Sequence, residues 1–113
     1  MHLKNFSLIT REKKITLAPA YDLLNSTIAQ KNTKEEMALS LNGKKNNFRK
    51  NDFLKYFAIE RLKLNETVIT QVMQEIQQAF PLWEQLIERS FLSKPMQKEY
   101  LGLLRERYQR LAL

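Results

Sequence analysis

Val68, Ile69, Val72, Met73, Ile76 and Phe80 recur at spacings of three and four, and this periodicity constrains the fold more than any other feature. Only a 3.6-residue helix gathers such positions on one side, so the stretch after Asn65 reads as an amphipathic helix. Asn65 is its natural cap, because an Asn carboxamide accepts from the free N–H groups of a first turn. Pro81 is expected to break or kink it, since proline has no N–H to donate. The pattern resumes with Leu82, Trp83, Leu86 and Ile87. Ser93 and Pro95 open a last helix carrying Met96, Tyr100, Leu103, Leu104 and Tyr108 or Leu111 on one side. Upstream, Asn51 or Asp52 can cap a helix reaching about Leu62, with Phe53, Leu54, Phe57 and Ala58 on one face. Residues 51–113 therefore read as an α-helical bundle of three or four helices.

The first fifty residues follow another rule. Phe6-Ser7-Leu8-Ile9-Thr10 and Ile15-Thr16-Leu17 are β-prone runs around the polar segment Arg11-Glu12-Lys13-Lys14, which reads as a hairpin with a four-residue connection. Ala18-Pro19-Ala20 ends the second strand. Tyr21-Asp22-Leu23-Leu24-Asn25 reads as a single helical turn, and residues 30–36 as an exposed loop. Met37-Ala38-Leu39-Ser40-Leu41 is a third candidate strand, stopped by the turn dipeptide Asn42-Gly43. The expected fold class is mainly α with a small β-hairpin element, in a single domain spanning residues 1–113.

Composition excludes several functions. There is no cysteine and one histidine, which removes disulfides, thiolate zinc sites, cysteine nucleophiles and multi-histidine metal sites. An independent enzyme would have too little machinery left. No apolar run reaches the ~20 residues of a membrane span, so no membrane association is expected and the cytoplasm is the expected compartment. Nineteen Lys and Arg against twelve Asp and Glu give a net charge of +7, which suits a polyanion or an acidic partner and equally a solvated basic surface.

Chemistry concentrates in the first 25 residues. A turn centred between Glu12 and Lys13 pairs residues whose numbers sum to 25: Thr10 with Ile15, Leu8 with Leu17 and, at the open end, Asn5 with Ala20. Asp22 lies two residues further on, which brings a neutral and a charged oxygen donor together. Mg²⁺ takes few protein ligands of this kind and fills its remaining positions with water and phosphate. The spacing leaves a second reading open, in which Asn5 caps a turn and Asp22 caps a short helix.

Three segments in order, His2-Leu3-Lys4-Asn5-Phe6-Ser7, then Leu17-Ala18-Pro19-Ala20-Tyr21-Asp22-Leu23-Leu24, then Met37-Ala38-Leu39-Ser40-Leu41-Asn42-Gly43-Lys44, resemble motifs of the HipA family. These are bacterial serine/threonine kinases that act as toxins in toxin–antitoxin pairs. The family shows Asp-x-His-x-Lys-Asn-Phe-Ser, a short hairpin, a Pro-x-Tyr-Asp turn, a Leu-x-Leu-Asn-Gly segment and then helices. The resemblance implies the C-terminal portion of a protein-kinase-like large lobe, with Mg²⁺ and ATP as cofactors. It gives Asn5 and Asp22 the role of metal ligands. It places His2 as a brace of the catalytic loop near the nucleotide, and Lys4 and Tyr21 at or beside the ATP site. The family's catalytic Asp would lie one residue before Met1, and the N-terminal lobe is likewise not among these residues. The expectation is therefore a chain truncated at its N-terminus, with residues 1–50 holding the hairpin, the metal-site loops and the third strand. Such a chain would be inactive alone. Its implied partners are the missing N-terminal kinase part, a HipB-like DNA-binding antitoxin and, as substrate, a protein of the translation machinery such as an aminoacyl-tRNA synthetase; association with DNA would be indirect. The alternative is a non-catalytic basic module that binds an antitoxin or nucleic acid; Phe48-Arg49-Lys50 and Phe53 are the only hint of aromatics interleaved with basic residues, and Phe53 fits the helix core better.

Overall fold

A computed structural model describes residues 5–21, 23–29 and 34–111. It is mainly helical, with one two-stranded antiparallel hairpin, and the chain divides into two compact units, Met1–Asn46 and Asn47–Leu113.

In the first unit β1 (Leu8–Arg11) pairs with β2 (Lys14–Leu17). The register is the one expected, Leu8 with Leu17, Ile9 with Thr16, Thr10 with Ile15 and Arg11 with Lys14. The connection, however, has two residues and not four. Glu12 and Lys13 both take positive φ, 48° and 63°, the signature of a type I′ turn. Their twist matches the strands, which lets pairing continue to Arg11 and Lys14. The expected helical turn over residues 21–25 is displaced. The short helix α1 is Ser26–Ala29, and Asn25 Oδ1 caps it by accepting from the Ile28 N–H at 3.3 Å. The third strand does not form. Leu41 and Lys44 exchange both backbone bonds, at 2.8 and 3.0 Å, around Asn42 and Gly43, which have φ of 52° and 71°. Beyond that turn the ladder stops, because the N–H groups of Glu36 and Met37 both go to the single carbonyl of Lys45. Residues 38–40 are looped out between these contacts and have no partner strand to extend.

In the second unit the first helix is wider than an α-helix. Residues Asp52–Arg61 form a ten-residue π-helix. Its start is fixed by Asp52, which is buried: the carboxylate accepts from the Arg49 N–H at 2.9 Å while the Asp52 N–H donates to the Arg49 carbonyl at 2.9 Å. This is the back-reaching half of a capping box, so Asp52 works from inside the first turn, and Asn51 makes no side-chain cap bond. At the other end Lys63 is left-handed, φ 56°. The Leu64 N–H reaches the Ala58 carbonyl and the Lys63 N–H that of Ile59, each one residue longer than in a Schellman cap. The wider turn changes the facing residues. Phe57, expected inside, is exposed, while Tyr56 is half-buried beside buried Ala58.

Helices α2 (Glu66–Glu88) and α3 (Lys94–Arg110) make an antiparallel pair. Asn65 caps α2 as expected, its side chain accepting from the Val68 N–H at 2.9 Å. Pro81 does not end the helix. Its fixed φ is helical, and the bond it cannot donate falls on an exposed stretch, between positions that still pack. Phe80 and Tyr108 meet with ring centroids 4.0 Å apart, and Arg105 Nε donates to Glu84 Oε1 at 2.7 Å. Half of the expected stripe lies elsewhere. Ile69, Met73, Ile76, Phe80 and Ile87 are buried or half-buried, whereas Val68, Val72, Leu82, Trp83 and Leu86 are exposed. On α3 the first inward position is Gln97 and not Met96, which is exposed. Gln97 Nε2 donates to the carbonyls of Glu88 and Ser90 at 3.3 and 3.1 Å, and Lys94 Nζ donates to its Oε1 at 3.1 Å. The amide thereby ties α3 to the end of α2. A methionine there would leave both carbonyls without that donor.

Candidate functional site

The hairpin register runs one step past the strands toward Asn5. Pairing continues past the strands, since the Ala18 N–H donates to the Ser7 carbonyl at 2.8 Å, and those numbers again sum to 25. Two residues further along this register stand Asn5 and Ala20. Asn5 is 6% exposed, a depth at which a carboxamide is normally engaged on its polar atoms. Tyr21, the neighbour of Ala20, is exposed. His2, Lys4 and Asp22 lie outside the described residues.

Asn5 offers one neutral oxygen, a ligand type that suits Mg²⁺ when a carboxylate and phosphates complete the shell. Among the described residues no three His, Asp or Glu side chains gather as a metal-holding group.

A second polar feature lies in the other unit, and the sequence indicated it only in part. An open cavity of about 370 Å³ is lined by residues 47–51 and Arg110, so that Arg49, Lys50 and the last turn of α3 contribute cations to one place. Arg110 also pairs with Glu106, one turn back on its own helix. Phe48 does not serve this cavity as a stacking platform. It is buried and packs against Phe53, ring centroids 5.6 Å apart and tilted by 57°. The hint of base stacking at Phe48 finds no support, because this ring holds the loop against the π-helix, and Phe53 packs on the helix side as its sequence position suggested.

Among the described residues no helix is long and apolar enough to cross a membrane. A comparison with curated proteins finds no match. The profile of the HipA-like C-terminal domain matches residues 1–83. That span takes in all three motif segments, the hairpin, the π-helix and α2 as far as Trp83, and it stops before α3. With most of its length matched in this way, the chain belongs to the family of HipA-like C-terminal domains.

Proposed function

We propose that the chain is the C-terminal part of a HipA-type serine/threonine kinase of a toxin–antitoxin pair, and that it contributes the metal-binding side of an Mg²⁺–ATP site. The observation that carries this reading is the family match, because residues 1–83 contain both Asn5 and Asp22 in their motifs. The buried position of Asn5 at the end of the hairpin register supports it. Bound Mg²⁺–ATP would supply the phosphoryl group and the charge neutralisation its transfer needs. Asn5 and Asp22 would hold the metal, His2 would brace their loop, and Lys4 and Tyr21 would border the nucleotide. These residues would provide the metal-binding share of such a site, the attacking hydroxyl being oriented by a separate group. The chain's partners under this reading are the N-terminal part of the kinase, a HipB-like antitoxin and a protein substrate of the translation machinery.

Complementation tests the proposal. The purified chain alone should turn over no ATP. Mixed with the N-terminal part of a HipA-type kinase ending in the catalytic Asp, it should raise autophosphorylation above either piece alone. Asn5→Ala and Asp22→Ala should each abolish the gain, while Lys44→Ala should keep it. Restored activity that survives Asp22→Ala would overturn the metal assignment.

A second reading, a basic module that binds polyanions, is favoured by the cavity lined by Arg49, Lys50 and Arg110. It requires phosphate contacts without base stacking. Binding of single-stranded nucleic acid should then fall steeply with salt and show little sequence preference.

A further inference from the structure

The second unit gathers cations from both ends of its sequence. Arg49 and Lys50 stand where the chain enters the π-helix and Arg110 in the last turn of α3, and with Asn47, Phe48 and Asn51 they line the open cavity of about 370 Å³. None of these residues belongs to the three motif segments, and Arg110 lies beyond residues 1–83 that the family profile matches. The loop side of the cavity is built before any ligand arrives. Phe48 is buried against Phe53, and Arg49 and Asp52 exchange two hydrogen bonds, Arg49 N–H to Asp52 Oδ2 and Asp52 N–H to the Arg49 carbonyl, each at 2.9 Å. These contacts fix the backbone at residues 48–52 while the Arg49 side chain stays exposed, so ordering the loop is a cost of folding and not of binding. Asn51 makes no side-chain cap bond.

Charge and donor geometry indicate the ligand. Among the described residues that line the cavity are three cations and no carboxylate. Two carboxylates lie close by: Glu106 pairs with Arg110, and Asp52, 4% exposed, accepts from the Arg49 N–H. Neither lines the cavity. A guanidinium carries five N–H donors in a rigid fork, so one arginine can serve a carboxylate and a second anion at once. Arg49 and Arg110 offer two such forks, which match pairs of phosphate oxygens; Lys50 adds a point charge, and Asn47 and Asn51 add amide donors. The cations meet at one place. An internal phosphate of a nucleic acid carries a single charge, and its neighbours call for a track of cations with stacking rings between them, whereas the ring at this cavity, Phe48, is buried. A phosphate monoester concentrates about 1.5–2 negative charges and three acceptor oxygens on one group at neutral pH.

We propose that the cavity formed by residues 47–51 and Arg110 binds a phosphate monoester as its dianion. The proposal rests on the polyanion reading of these cations and narrows the ligand from a charged polymer to a terminal phosphate. It does not depend on the kinase reading.

The test is an NMR titration of the full chain, at constant ionic strength, with methyl phosphate, a monoester, and with dimethyl phosphate, a diester of similar shape and single charge. Methyl phosphate should give saturable shifts at the amides of residues 47–51 and at Arg110 Nε, and should bind at least tenfold more tightly than dimethyl phosphate. Its affinity should fall several-fold between neutral and mildly acidic pH, as the ligand takes up its second proton at about pH 6. Arg49→Gln and Arg110→Gln should each weaken binding at least fivefold, the dispersion of the spectra showing that the variants are folded. Arg105→Gln removes the same charge from α3 outside the cavity and should leave the affinity within twofold. Equal binding of the two esters, shifts spread over the whole surface, or a loss on Arg105→Gln as large as that on Arg110→Gln would overturn the proposal. So would a single-stranded oligonucleotide without terminal phosphates that shifts the same amides as strongly as methyl phosphate does; the polyanion reading would then stand while this one fails. Absence of binding by both esters and the oligonucleotide would overturn both.

Discussion

The hairpin and the α2–α3 pair are both antiparallel two-element units, and they are held by different forces. In the hairpin the backbone is paired along its length, yet Leu8 and Leu17, directly opposite each other, are 68% and 61% exposed. In the helix pair each backbone satisfies itself, and the elements are joined by side chains: Phe80 on Tyr108, Gln97 on two carbonyls, Arg105 on Glu84. The hairpin thus has register without burial and the helices have burial specified by contact. Isolated two-stranded hairpins are marginal in water, whereas apolar contact along several helical turns is not. Local order and local stability are separate properties here.

Hydrogen exchange gives the broadest test of this contrast. Amides of residues 69–80 and 97–108 should exchange roughly a hundredfold more slowly than those of 8–17. Equal protection would mean that the hairpin is held by more than its own ladder. Phe80→Ala should remove the ring contact with Tyr108 and lower stability by about 2 kcal/mol, the site being half-buried. Urea unfolding read by Trp83, the sole tryptophan and itself on α2, measures the loss. Gln97→Ala should cost about 1–2 kcal/mol in the same assay, because the carbonyls of Glu88 and Ser90 lose a donor. On the other element, Glu12→Asn with Lys13→Gly should strengthen the hairpin by about 1 kcal/mol, since both positions hold positive φ that side-chain-bearing residues resist. Exchange at residues 8–17 should slow while the Trp83 transition stays put. The smallest effect belongs to Arg105→Ala. Its ion pair with Glu84 is largely exposed on the arginine side, and its loss should shift the urea midpoint by no more than about 0.5 kcal/mol.

The hairpin register was legible because antiparallel pairing is arithmetic. Once the turn is centred, every partner follows, and the Ser7–Ala18 bond extends the sum toward Asn5. The motif segments led to the same residues by resemblance, and the family match spans them. The cationic cavity was legible only in half. Arg49 and Lys50 are adjacent in sequence, but Arg110 joins them from sixty residues away, and no local pattern links it to them.

The sequence alone determined what depends on nearest neighbours. Asn42-Gly43 had to turn, because both residues tolerate positive φ. Asn65 had to cap, because its carboxamide lies within reach of the Val68 N–H. Ser93 and Pro95 had to open α3, because proline fits a first turn that needs no donor. Tertiary structure decided the matters on which sequence is silent. Glu12-Lys13 makes the same turn as Asn42-Gly43 without its chemistry, and the register of the flanking strands holds it there. Periodicity marked one broad apolar arc on α2, but only packing chose the side of Phe80 for α3 and left Val68, Val72, Leu82 and Leu86 exposed. Gln97 replaced Met96 inside because two carbonyls at the end of α2 stood within hydrogen-bond distance of its amide. A helical period fixes which residues share a face. Which face is buried depends on what the rest of the chain brings against it.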